Sequence, residues 1–67
     1  MIEIALNGES RRVQPGCTLA DLVEDIGCGR RGVAIAVDEE VVPRSAWAAT
    51  QVDAGDRVEI LRAAQGG

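Results

Sequence analysis

The sequence predicts an α+β fold in which one sheet is backed by one helix, and three observations carry that reading. Asn7-Gly8 stands between two extended runs. A single segment, from Leu19 to Ile26, repeats apolar residues at helical spacing. Val33-Ala-Ile-Ala-Val37 then places large side chains on one face and only alanines on the other. One helix cannot cover both faces of a sheet, so two layers are expected.

At the start of the chain, Ile2, Ile4 and Leu6 alternate with Glu3 and Ala5, and a second extended run covers Glu9 to Gln14. Asn-Gly between such runs is the strongest short hairpin signal, because both central positions of the turn need φ > 0. Pro15-Gly16 ends the hairpin. Thr18, with Asp21 three residues on, reads as a helix N-cap followed by an acid in the first turn. Leu19, Leu22, Val23 and Ile26 recur at i, i+3, i+4 and i+7, which gives a helix of about ten residues with one apolar stripe. Gly27 is the expected αL stop. Arg30 and Arg31 follow the helix C-terminus, where positive charge is favourable.

Val33 to Val37 suits a central strand with its large residues against the helix. Asp38-Glu39-Glu40 reads as a solvated turn, and a short extended piece, Val41-Val42, stops at Pro43. Asp53-Ala-Gly-Asp56 marks the turn before a last strand, Arg57 to Arg62, in which Val58 and Ile60 alternate with Arg57, Glu59 and, less cleanly, Leu61. The order is β, β, α, β, short β, β, in a single domain over residues 1–67. A tail, starting at 62 or 63 and running to 67, lies outside the pattern.

Composition narrows the functions available. At 67 residues the chain has room for one core, and that core is aliphatic, since Trp47 is the only aromatic residue. Eleven acids against seven arginines leave a net charge of −4, without the basic stripe that phosphates require, so neither nucleic acid nor an anionic membrane is an expected partner. Met1 to Leu6 lacks the basic start and apolar run of a signal peptide, and no stretch is long enough to span a bilayer, so a cytoplasmic location is expected. The chain has no His, which removes Ser/His and Cys/His nucleophile pairs and any Cys/His zinc site from within it. It also has no Lys. An enzyme in its own right is not expected, and neither is a bound cofactor or metal.

Ten residues separate Cys17 from Cys28. With a helix between them, at ~1.5 Å per residue, they stand roughly 15 Å apart, beyond the ~7 Å Cα limit of a disulfide. Both are read as reduced thiols that act as small apolar fillers.

The tail, Ala63-Ala64-Gln65-Gly66-Gly67, is the remaining candidate for chemistry. At ~7% glycine usage a Gly-Gly end arises by chance roughly 0.5% of the time. Five residues at ~3.3 Å each carry the Gly67 carboxylate up to about 17 Å beyond the fold, and two glycines pass a narrow channel without side-chain clash. Such a carboxylate suits presentation to another protein's active site. It is a poor electrophile until activated, most simply by attack on the α-phosphate of ATP to give an acyl-adenylate. The chain has no phosphate-cradling loop, so the ATP and Mg²⁺ belong to a partner.

Several segments together resemble the thiamin-biosynthesis sulfur carrier family ThiS, within the ubiquitin-like β-grasp superfamily and related to MoaD. They are Leu6-Asn-Gly-Glu9, Thr18-Leu-Ala-Asp-Leu22, Gly32-Val-Ala-Ile-Ala-Val37, Val41-Val-Pro-Arg-Ser-Ala-Trp47, Gly55-Asp-Arg-Val-Glu-Ile60 and Gln65-Gly-Gly67. The Val41 to Trp47 segment is the specific one, since other carriers share a Gly-Gly tail. The resemblance implies a β-grasp fold, with a mixed four- to five-stranded sheet on the single helix and a flexible C-terminal tail. It further implies that a ThiF/MoeB-like adenylating enzyme activates Gly67, that a persulfide donor supplies sulfur, and that the resulting thiocarboxylate serves thiazole synthase. Gly67 is then the modified residue and Gly66 its flexible neighbour, while Ala63, Ala64 and Gln65 are the segment that partners grip. In place of an Asn-Gly-like turn after the central strand the chain has Asp38-Glu39-Glu40, which leaves the register of the next strand open.

Three alternatives stand beside this reading: a carrier for molybdopterin or another thio-cofactor, a ubiquitin-like modifier that joins Gly67 to a target lysine, and a plain binding module with a passive tail. Trp47 is expected to anchor the Pro43 to Thr50 loop, with a partner hot spot as the other reading.

Overall fold

The computed structural model describes residues 1–27 and 32–62. A five-stranded mixed sheet packs one face against one helix. The strands are β1 (Ile2–Leu6), β2 (Glu9–Val13), β3 (Val33–Val37), β4 (Glu40–Val42) and β5 (Arg57–Arg62), in the spatial order β2-β1-β5-β3-β4. The last strand in sequence is therefore the middle strand of the sheet. It runs parallel to β1, with Ala5 opposite Arg57 and Leu6 opposite Val58, and antiparallel to β3, from Val33 opposite Arg62 to Val37 opposite Val58.

The helix α1 (Leu19–Ile26) has eight residues, a little shorter than the periodicity suggested. Both expected ends are present. Thr18 Oγ1 accepts the Asp21 N–H at 3.1 Å, and Asp21 Oδ2 accepts the Thr18 N–H at 3.2 Å, a reciprocal cap worth about 1 kcal/mol. Gly27, at φ 79°, closes the other end in the αL region. Leu19, Leu22 and Val23 are fully buried against Ile4, Ile35 and Val58. Arg11 shares the helix-facing side of edge strand β2 with Val13, and its guanidinium reaches Asp25 of α1 at 2.7 Å.

Three boundaries differ from expectation. β2 stops at Val13, one residue before Gln14. Glu40 pairs with Val37 as the first residue of β4, so the turn is Asp38-Glu39 alone. The segment after Pro43 is a 3₁₀ helix, Arg44–Ala49, that places Trp47 in the core at 2% exposure with its indole N–H donating to the Val42 carbonyl at 2.9 Å. A buried Trp needs a partner for that N–H, and this one has it, which makes Trp47 a packing anchor. Among the described residues no helix is long and apolar enough to cross a membrane.

Candidate functional site

The site expected from the sequence is the tail, and β5 is the element that delivers it. Its first half is held from both sides. Toward β1, the Ala5 N–H donates to the Asp56 carbonyl and the Asn7 N–H to the Val58 carbonyl, both at 2.9 Å. Toward β3, the Asp38 N–H donates to the Arg57 carbonyl at 2.8 Å, and Asp38 Oδ1 accepts the Arg57 N–H at 3.0 Å. Val58 is fully buried beneath this ladder. The entrance to β5 is thus fixed by backbone hydrogen bonds and by apolar burial together.

The exit half is different. Strand alternation puts Leu61 on the solvent face beside Ala34, where it stays 62% exposed, and Val41 stands opposite Ala36 on the same face at 75%. Gly32, Val33, Ala34, Arg44, Leu61 and Arg62 border a shallow depression there. On the helix side, Leu6, Asn7, Ile26, Ile60 and Arg62 line a second one. Asn7 Oδ1 accepts the Ile60 N–H at 2.8 Å, one step beyond the last residue of β1. The exit is a sheet end with an exposed aliphatic patch on one face and an Asn side chain as its last hold on the β1 side.

Gly67 and the tail residues Ala63, Ala64, Gln65 and Gly66 lie outside the described residues, as do Cys28, Arg30 and Arg31. Cys17 is a free thiol at the N-terminal end of α1, where it donates to the Thr18 carbonyl at 3.4 Å. Partial burial raises its pKa above the ordinary thiol value, Asp21 and Asp25 add to that, and Arg11 opposes it. Such a thiol is mostly protonated at neutral pH and is a weak nucleophile. Among the described residues, no cluster of three His, Cys, Asp or Glu side chains could hold a metal ion.

Two features of the exit escaped the sequence reading. The exposure of Leu61 had a signal, its break in the alternation of the last strand. The Asn7 contact to Ile60 had none, because 53 residues separate the partners.

This arrangement can be set against known proteins. The ThiS family model matches residues 4–67, from within β1 through the helix and the other strands to the end of the tail. The chain belongs to the ThiS family. Among its relatives is the sulfur carrier protein ThiS of Escherichia coli (strain K12), 29% identical over 66 residues that cover 98% of this chain and 100% of that protein. A thiazole synthase of Paramagnetospirillum magneticum is 33% identical over 66 residues, 98% of this chain but only 20% of that protein, so this chain spans about a fifth of that relative's length. The crystal structure of the thiamine biosynthesis protein ThiS from Geobacter metallireducens superposes with a TM-score of 0.84 at 28% identity, over 98% of this chain and 100% of that one. A solution structure of a thiamine biosynthesis protein from the same organism gives 0.78 at 28% identity, over 98% and 88%. At these scores the ubiquitin-like β-grasp fold of ThiS is the fold of this chain.

Proposed function

We propose that this chain is a sulfur carrier in thiamin biosynthesis, and that Gly67 is the residue which carries the sulfur. The match to the ThiS family, which runs through Gly67, is the observation that supports it most. In the proposed cycle a ThiF/MoeB-like enzyme, holding ATP and Mg²⁺, binds the tail. The Gly67 carboxylate attacks the α-phosphorus of ATP and expels pyrophosphate, leaving an acyl-adenylate. The outer sulfur of a persulfide donor then displaces AMP at the acyl carbon, and a thiol cleaves the S–S bond to leave the thiocarboxylate. The chain serves as co-substrate, and each catalytic group belongs to a partner.

Thiazole synthase is the proposed acceptor of the sulfur. A protein of that name contains a segment similar to this whole chain within a polypeptide about five times as long, which supports thiamin over another thio-cofactor. The adenylating enzyme is the proposed occupant of the exposed patch formed by Leu61 and Val41 around Ala34 and Ala36. Leu61 lies one residue from the end of β5, so an enzyme that draws in the tail meets this face first.

The mass of the tryptic peptide Ala63 to Gly67, from protein purified untagged from its own host, tests the reading. Exchange of oxygen for sulfur adds about 16 Da, and this peptide contains no Met or Cys whose oxidation would mimic the gain. A shifted peptide is expected when thiamin demand is high. A peptide that stays unshifted with the partners present defeats the carrier reading and moves the modifier or the passive-module reading ahead.

A further inference from the structure

Asn7 begins as a turn residue. It sits at φ 51° and Gly8 at φ 84°, with Leu6 paired to Glu9 across them, so both central positions take the left-handed conformation of a type I′ turn. Asn tolerates that region better than most residues, and Gly does so freely. The turn alone is therefore satisfied by Gly at position 7. The Asn side chain adds one thing that Gly cannot, an acceptor for the Ile60 N–H at 2.8 Å.

That acceptor stands at a special place. The parallel ladder between β1 and β5 covers only Ala5 to Arg57 and Leu6 to Val58, and the Asn7 N–H carries it one bond further, to the Val58 carbonyl. Beyond this, β1 has turned away into its hairpin. Leu61 and Arg62 are paired with β3 alone, and without Asn7 Oδ1 the Ile60 N–H would lose its β1-side partner and Ile60 would join them. A strand end held on one side frays more readily than one held on both. Fraying of residues 60–62 would add three residues, roughly 10 Å of chain, between the paired sheet and Gly67. A longer free segment lowers the effective concentration of its end at any fixed site.

We propose that Asn7 is a positioning residue for the tail: by accepting the Ile60 N–H it holds the exit half of β5 on the β1 side as well as on the β3 side, and so keeps short the chain that leads from the sheet to the Gly67 carboxylate. The inference rests on the carrier reading and adds to it a residue that lies 60 positions from Gly67 in sequence.

Asn7→Gly keeps the turn and removes the acceptor, and Asn7→Asp keeps both. Measurements at raised ionic strength screen the charge that the latter adds. Two measurements are needed on each full-length variant: amide hydrogen exchange at Ile60 and Arg62, and AMP formation by the organism's own adenylating enzyme with ATP and Mg²⁺, as KM and kcat for the carrier. Asn7→Gly is expected to speed exchange at Ile60 roughly fivefold more than at Val58, the order of one lost hydrogen bond beyond any change in global stability. It is expected to raise KM by a similar factor at constant kcat, and Asn7→Asp to restore both. A purely structural role would lower the melting temperature and leave KM alone well below it, and that result overturns the proposal. Unchanged exchange at Ile60 overturns it as well. If even the wild-type chain is not adenylated, the carrier reading falls, while exchange at Ile60 still decides whether Asn7 holds the strand end.

Discussion

The two hairpin turns of this sheet have the same backbone and opposite sequence character. Asn7-Gly8 and Asp38-Glu39 each join two antiparallel strands through two residues at positive φ, 51° and 84° in the first, 50° and 74° in the second. In each, the first turn residue donates its N–H to a carbonyl of β5 and accepts a β5 N–H on its side-chain oxygen: Val58 and Ile60 for Asn7, Arg57 on both counts for Asp38. The turns therefore grip the central strand from opposite sides, Asp38 at its entrance and Asn7 toward its exit. They differ at the second position, where Gly8 meets the positive φ at no steric cost and Glu39 does not. A turn can thus be set by its own propensity or by what it holds. The Asp38-Glu39 turn is of the second kind, with Arg57 bound by both of its side chains.

The comparison breaks first at Asp38. Asp38→Ala removes the acceptor for the Arg57 N–H and places a residue poorly suited to φ 50° beside another such residue. The lost hydrogen bond and the αL penalty together should cost about 2 kcal/mol. Urea unfolding followed by the fluorescence of Trp47 would measure it, and a loss under about 0.5 kcal/mol would mean that the turn does not depend on its grip. Asn7→Gly, which loses an acceptor but keeps its turn, should cost about 1 kcal/mol in the same experiment. If the two variants prove equally damaging, the distinction between the turns is wrong.

These turns also mark how far the sequence could be read. Asn7-Gly8, Thr18 with Asp21, and Gly27 were legible because the physics of turns and caps is local, and the structure has all three. Asp38-Glu39 was legible as a turn but not in its register, since nothing in an Asp-Glu pair announces two positive φ angles; the compensation lies 18 residues away in Arg57. The central place of β5 was not legible from periodicity, because Val58 and Ile60 alternating with Arg57 and Glu59 suit an edge strand equally well. Only the pairing with β1 and β3 decides it. At the candidate site, residue types carried the chemistry of the tail, whereas the exit needed the fold, which brings Asn7 to Ile60 and leaves Leu61 on the open face.

Glu39 sharpens the comparison at its smallest scale. If the turn is held in spite of its second residue, Glu39→Gly should stabilise the protein by about 0.5–1 kcal/mol, because relief of a non-Gly residue at φ 74° outweighs what is lost. The loss is one ion pair, Arg57 to Glu39 at 3.2 Å, between side chains 64% and 79% exposed, and pairs that open to water contribute little. Glu39→Gln separates the two effects. It keeps the strained backbone and a polar partner but removes the charge, so its stability should change by less than about 0.5 kcal/mol and become insensitive to salt at this site. Should Glu39→Gly instead destabilise while Glu39→Gln is neutral, Glu39 would be favoured at that φ by something other than its charge. The Asp38 grip would then no longer suffice to explain why this turn forms without glycine.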